Sequence, residues 1–139
     1  MNLVEISVFC QDRVGRLAEI SGTLGEAGLN IRGFHISDTA EGYGIFRVIT
    51  QDQDKALEVL TERGFSVSQT EVICVDVPDE PGGIARVLDC LSDADVNVGY
   101  LYAIVNSLIV FHVDKPAAAA EALRRAGVRV LTSAEVYSQ

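Results

Sequence analysis

No apolar run in this chain approaches the roughly 18–20 residues that a membrane helix needs. The longest candidate, residues 101–113, is interrupted by Asn106, Ser107 and His112. The start, Met1-Asn2-Leu3-Val4-Glu5, lacks the basic residues and apolar core of a signal peptide. The expectation is a cytoplasmic protein with no membrane partner. Cations are scarce as well. Lysine and arginine total 11 against 20 acidic residues, for a net charge of −9. Lys55 and Lys115 are the only lysines, and Arg124-Arg125 is the only adjacent basic pair. Nucleic acid, whose phosphates require clustered cations, is excluded as a direct partner.

Cysteine is too sparse to build a framework. Cys10, Cys74 and Cys90 are far apart, odd in number and form no C-x-x-C. His35 and His112 share no ligand spacing with them, so no metal site and no disulfide are expected. The three read as small buried hydrophobes. No Ser or Cys sits on a glycine-flanked elbow, and neither phosphate-binding nor dinucleotide-binding glycine pattern occurs. No cofactor and no catalytic residue are expected.

What is present is a folded composition, 48% hydrophobic and 22% charged over 139 residues, and an internal repeat. Asp12-Arg13-Val14-Gly15-Arg16-Leu17 recurs as Asp79-Glu80-Pro81-Gly82-Gly83-Ile84, an offset of 67 that also carries Asn30-Ile31 onto Asn97-Val98. Further on, Leu60 and Gly64 match Leu123 and Gly127 at an offset of 63. The four missing residues fall where 37–44 is long and 105–108 is short, as expected of hairpin loops. The chain reads as two copies, residues 1–71 and 72–139.

Each copy gives the same element order. Val4, Ile6, Val8 and Cys10 alternate with Glu5, Ser7 and Phe9, a strand with one face more buried. Leu17, Ile20, Leu24 and Ala27 fall on one helical face closed by Gly28. Strands follow over 30–37 and 44–50 around a turn at 38–42, then a helix over 54–63 and a strand over 65–69. The second copy repeats this with strand 72–77, helix 83–94, strands 97–105 and 108–114, helix 117–126 and a strand from 128. The fold class is α+β, two ferredoxin-like βαββαβ units with antiparallel sheets and helices on one face. Right-handed crossovers place the first and third strands side by side in the middle. No turn separates the copies over 66–77, so the last strand of the first leads directly into the first strand of the second.

The chemistry is concentrated in the loop before each first helix. Pro81 stands near a helix start, where its missing N–H costs nothing, and Gly82 permits close backbone approach. Exposed N–H groups of the first turn suit a carboxylate; alternatively Asp12 or Asp79 caps its own helix. Asn30 and Asn97 open the second strand of each copy. An Asn amide donates to a carboxylate and accepts from an ammonium, which suits a free amino acid; alternatively each is a turn residue in a left-handed backbone. Tyr100 and Tyr102 share a predicted face and either pack between the two copies or wall a pocket for an aromatic, imidazole or large aliphatic side chain.

The pattern Asp-x-Pro-Gly-x-(Leu/Ile), a helix, then Asn-(Ile/Val) opening a strand resembles the ACT domain, and it does so in both copies. The chain is similar to small stand-alone tandem-ACT proteins sometimes named after the regulatory subunit of acetolactate synthase. The resemblance implies a regulatory module that binds an amino acid at domain interfaces. It carries over to Asp12, Arg13, Val14, Gly15, Arg16, Leu17, Asn30 and Ile31, and to Asp79, Glu80, Pro81, Gly82, Gly83, Ile84, Asn97 and Val98. Copy one departs with Val14 in the proline position and adds Arg13 and Arg16. Copy two keeps Pro81 but is acidic at Asp79 and Glu80. The function implied is a non-enzymatic amino-acid sensor acting in trans. The alternatives are an interaction subunit of a metabolic enzyme such as acetolactate synthase, or a small acyl-phosphate hydrolase using Arg13 or Arg16. Open sheet edges point to a homodimer.

Overall fold

The computed structural model describes residues 3–38 and 41–139. Within the expected turn at 38–42, Thr39 and Ala40 therefore lie outside the described residues. The chain divides into two compact units, Val4–Thr70 and Glu71–Gln139, the second joined by Leu3.

In the first unit the elements are β1 (Leu3–Gln11), α1 (Arg16–Glu26), β2 (Ile31–Asp38), β3 (Tyr43–Thr50), α2 (Gln53–Glu62) and the start of β4 (Ser66–Asp76). The strand order is β2-β3-β1-β4. β1 and β3 pair antiparallel, with Ile6 opposite Val48 and Cys10 opposite Gly44. β2 and β3 pair antiparallel, with Phe34 opposite Val48 and Ile36 opposite Phe46. The period-2 residues Ile6, Val8 and Cys10 join Phe46 and Val48 against Ile20 and Leu24 of α1 and Ala56 and Leu60 of α2. Alternation on the strands and 3.6-residue spacing on the helices meet in one core. The other face of β1 is not the solvated face that its polar residues suggest. Glu5 is fully buried and Ser7 nearly so, while Phe9 is half exposed. Arg47 Nε lies 3.7 Å from the Glu5 carboxylate, the kind of pairing a buried charge needs.

The second unit repeats the plan with the remainder of β4, then α3 (Gly83–Asp93), β5 (Val98–Ala103), β6 (Leu108–Val113), α4 (Pro116–Arg125) and β7 (Val130–Leu131). β6 lies between β4 and β5, and β7 pairs the other side of β4, all antiparallel. Ile73, Val75 and Val77 share a core with Val87, Leu91, Phe111, Ala119 and Leu123. β4 runs unbroken through 66–76, as the absence of a turn there implies.

The chain's end differs from the sequence reading. Instead of a strand continuing from 128, β7 has two residues, Val130–Leu131, and gives way to a helix, α5 (Ser133–Tyr137). Thr132 accepts from the Glu135 N–H while the Glu135 side chain accepts from the Thr132 N–H, a reciprocal cap. Val136 is fully buried. The Thr-x-x-Glu spacing was the signal in the sequence.

Candidate ligand site

The loop residues and the outer end of the following hairpin enclose a cavity at the same place in each unit. In the first, Asp12, Arg13, Arg16 and Leu17 face Ile36, Ser37 and Asp38 across a space of about 240 Å³ floored by Cys10. In the second, Asp79, Glu80 and Ile84 face Ala103, Asn106 and Ser107 across about 290 Å³. The repeat seen in the sequence is thus a repeat of cavities.

A left-handed glycine shapes each loop. Gly15 has φ 89° and Gly82 φ 84°, and each is the residue immediately before its helix. Neither α1 nor α3 has a side-chain cap, so the reading of Asp12 and Asp79 as caps is overturned. The first N–H of each helix is met by loop backbone, Arg16 donating to the Arg13 carbonyl at 3.3 Å and Gly83 to that of Glu80 at 3.0 Å, and the N–H groups after it have no side-chain cap. Pro81 stands one residue outside this glycine, not in the helix. Gly83 is needed for space: a Cβ there would lie 2.2 Å from the carbonyl oxygen of Pro78. Arg16 occupies the matching position in the first unit. Its guanidinium packs 4.5 Å from the centre of the Phe65 ring and bonds Glu19 at 2.5 Å.

The charges of the two cavities differ. The first holds Arg13 and Arg16 with Asp12 and Asp38; Arg13 is exposed, its Nε bonding Gln11 at 3.2 Å. The second has Asp79 and Glu80 and no cation in its lining. Glu80 pairs with Arg86 at 2.5 Å. Burial raises the Cys10 thiol above its ordinary pKa, with Arg16 opposing and Asp12 adding to the effect. A protonated thiol is no nucleophile. Among the described residues no group of three or more His, Cys, Asp or Glu side chains is placed to hold a metal ion.

The asparagines lie elsewhere. α1 leads away from the loop for 11 residues, about 16 Å of helix, before Asn30, and β2 returns to bring Ile36 and Asp38 to the cavity. Asn30 is exposed, and its carbonyl accepts from Thr50 at 2.9 Å. Asn97 likewise lies away from its loop, in a hollow with Asp95, Asp114 and Lys115. The left-handed residues after the helices are Gly28 and Asp95, not the asparagines. Tyr100 and Tyr102 line neither loop cavity. They stack on one another at 6.4 Å, and Tyr100 stacks on His112 at 4.7 Å, all within the second unit. Sequence reasoning missed the hairpin side of the cavity, Ile36, Ser37, Asp38, Asn106 and Ser107; the signal was the length difference between these two hairpins.

The family model for the ACT domain pair matches residues 1–137. The chain belongs to that family. Among solved structures, protein BT0572 from Bacteroides thetaiotaomicron has a TM-score of 0.93 at 30% identity and covers 100% of this chain and 98% of its own. The ligand-free regulatory subunit of aspartate kinase from Thermus thermophilus has a TM-score of 0.67 at 14% identity, over 90% of this chain and 92% of its own. That from Thermus flavus has 0.61 at 16%, over 91% and 94%. These last two establish the likeness of fold. A comparison with curated proteins gives no match. No described helix of this ACT pair is long and apolar enough to cross a membrane.

Proposed function

We propose that this ACT pair is a non-enzymatic regulatory protein that binds a free amino acid in the loop cavity of its first unit and acts on a partner in trans. The observation that carries the reading is the pair of matched cavities, each opening on a helix start without a side-chain cap. In the first unit the α-carboxylate lies against the N–H groups at the start of α1, where the helix dipole favours negative charge. Arg13 supplies the mobile cation, because Arg16 is engaged by Glu19 and Phe65. Asp12 or Asp38 receives the ammonium. Leu17, Ile36 and Cys10 favour an aliphatic side chain; the stacked tyrosines give no support to an aromatic one. Asn30 and Asn97 are proposed to contact ligand only from a neighbouring domain, since each is held far from its own loop.

The second cavity has no cation in its lining to add to its helix start, so the first unit is the principal site. The regulatory subunits of aspartate kinase share this fold, which supports a role on a metabolic enzyme without naming one.

Thermal unfolding against each of the twenty amino acids tests the proposal. A ligand at 100 times its dissociation constant adds about 2.7 kcal/mol, a rise of roughly 5 °C for a chain of this length. A rise confined to one chemical class, lost in Arg13→Ala, supports it. A flat panel with a large enzyme captured by the purified chain favours the interaction subunit, and turnover of a generic acyl phosphate favours the hydrolase.

A further inference from the structure

The alanine run at the start of α4 and the cations at its end have no part in the loop cavities. In the second unit, Ala117, Ala120 and Arg124 of α4 line a separate hollow of about 330 Å³ with Ile73 of β4 and Val130 and Leu131 of β7. Two features of the chain open it. β7 reaches only Cys74 and Val75 of β4, because the cap at Thr132 turns the chain into α5, so β7 does not extend alongside Ile73. The second feature is side-chain size. At the offset of 63, Ala120 matches Leu57 and Arg124 matches Thr61. Leu57 packs against the core of the first unit, whereas Ala120, half-buried, leaves that volume open.

Charge decides what fits. Arg124 is exposed and belongs to no ion pair among the described residues, whereas Arg125 is paired with Glu121. In a chain of net charge −9, a cation without a carboxylate partner beside an apolar hollow attracts an anion. Glu71 also lines the hollow, and its charge disfavours a second negative charge on the ligand. Phosphate esters and dicarboxylates are thereby set aside. Thr132 stands in the lining too. Its hydroxyl oxygen accepts from the Glu135 N–H at 3.2 Å, which leaves its O–H proton to donate.

We propose that this hollow binds an aliphatic monocarboxylate, its carboxylate on Arg124 and its chain along Ala120 and Ala117 between α4 and β7. A guanidinium meets a carboxylate through two parallel N–H groups, and the Thr132 hydroxyl adds a third donor. From Arg124 back to Pro116 the helix runs about 12 Å, which suits an extended aliphatic chain. Mostly apolar walls with a few placed polar groups are the usual form of a small-molecule site. The hollow shares no residue with either loop cavity, so it stands apart from the amino-acid reading.

Isothermal titration of the full chain with straight-chain carboxylates from butyrate to octanoate, below micelle-forming concentrations, tests the site. One carboxylate binds per chain, with affinity rising about three- to fourfold per added methylene. Ala120→Leu, which restores the first unit's residue, abolishes octanoate binding while circular dichroism and the unfolding midpoint are retained. Arg124→Thr weakens octanoate about tenfold or more but leaves octanol binding unchanged, and Arg13→Ala affects neither ligand. Octanoate bound equally by the unsubstituted chain and both hollow variants overturns the proposal, and so does no binding at millimolar concentration. Self-association that Ala120→Leu abolishes, without carboxylate binding, gives the hollow to a second copy and overturns it as well. An octanoate response with none to any amino acid sinks the sensor alone; the reverse sinks this site alone.

Discussion

Glycines 15 and 82 hold their loops in a backbone region that a side chain enters at a cost of roughly 1–2 kcal/mol. Gly15→Ala and Gly82→Ala are each expected to lose about that much stability in urea titration. Gly15→Ala should also reduce ligand affinity, since the loop that presents the first-turn N–H groups is rebuilt. Gly83→Ala is expected to be worse than either, because its Cβ meets backbone at 2.2 Å and not the end of a flexible side chain. A second residue-scale expectation concerns acid. The Glu135 carboxyl is held at about 2, first by the Thr132 backbone N–H, then by Arg129 and the Thr132 hydroxyl. A depressed carboxylate stabilises the fold above its ordinary value of 4.5, and that contribution is lost as pH falls toward 2. A carboxyl-detected NMR titration should show its midpoint near 2, moving upward in Arg129→Ala or Thr132→Ala; an unmoved midpoint would refute the assigned causes. Burial also pushes the Cys74 thiol up to about 12, with the Asp76 charge adding to the effect. The less buried Cys90 is therefore expected to alkylate before Cys74 in the native protein.

Among the elements, β4 and α5 show where legibility stopped. The run 66–77 has strand-forming residues and no turn, and all of it but Val77 is one strand. The sequence from Val128 onward also reads as strand, but β7 stops after Leu131 because the reciprocal cap of Thr132 and Glu135 starts a helix at once. Propensity over so short a segment is weak, and a cap that satisfies two orphan N–H groups overrides it. Val136 anchors α5 by burial, so Val136→Ala should cost about 1.5–2.5 kcal/mol, from two lost methyl equivalents plus the cavity they leave. Leu123→Ala, in the core of the second unit, should cost about 2–5 kcal/mol. Chemical denaturation measures both, and near-neutral values would mean that the cores are packed differently.

At the scale of the whole molecule, the two ACT units share a plan but not a charge. The proposed function predicts one amino acid per chain at moderate concentration, not two, in isothermal titration. Arg13→Ala should weaken binding about tenfold or more, the worth of a charge-assisted contact. The matching change Glu80→Ala should leave that site unaffected. Two equivalent sites per chain would contradict the asymmetry of Arg13 and Arg16 against Asp79 and Glu80.

The sequence by itself determined the repeat, the element order as far as β7, and the core. All three are written in periodicities of 2 and 3.6 and in a motif recurring at a fixed offset, which are local properties of the chain. It also marked the loops, because Gly15 and Gly82 sit where only glycine is comfortable. Only the tertiary structure decided that Asp12 and Asp79 do not cap their helices, that Tyr100 and Tyr102 stack away from the cavities, and that Ile36 and Asp38 line one cavity with Asp12. Those are matters of which distant residues the sheet brings side by side. Adjacency across strands is set by register, which no single segment carries.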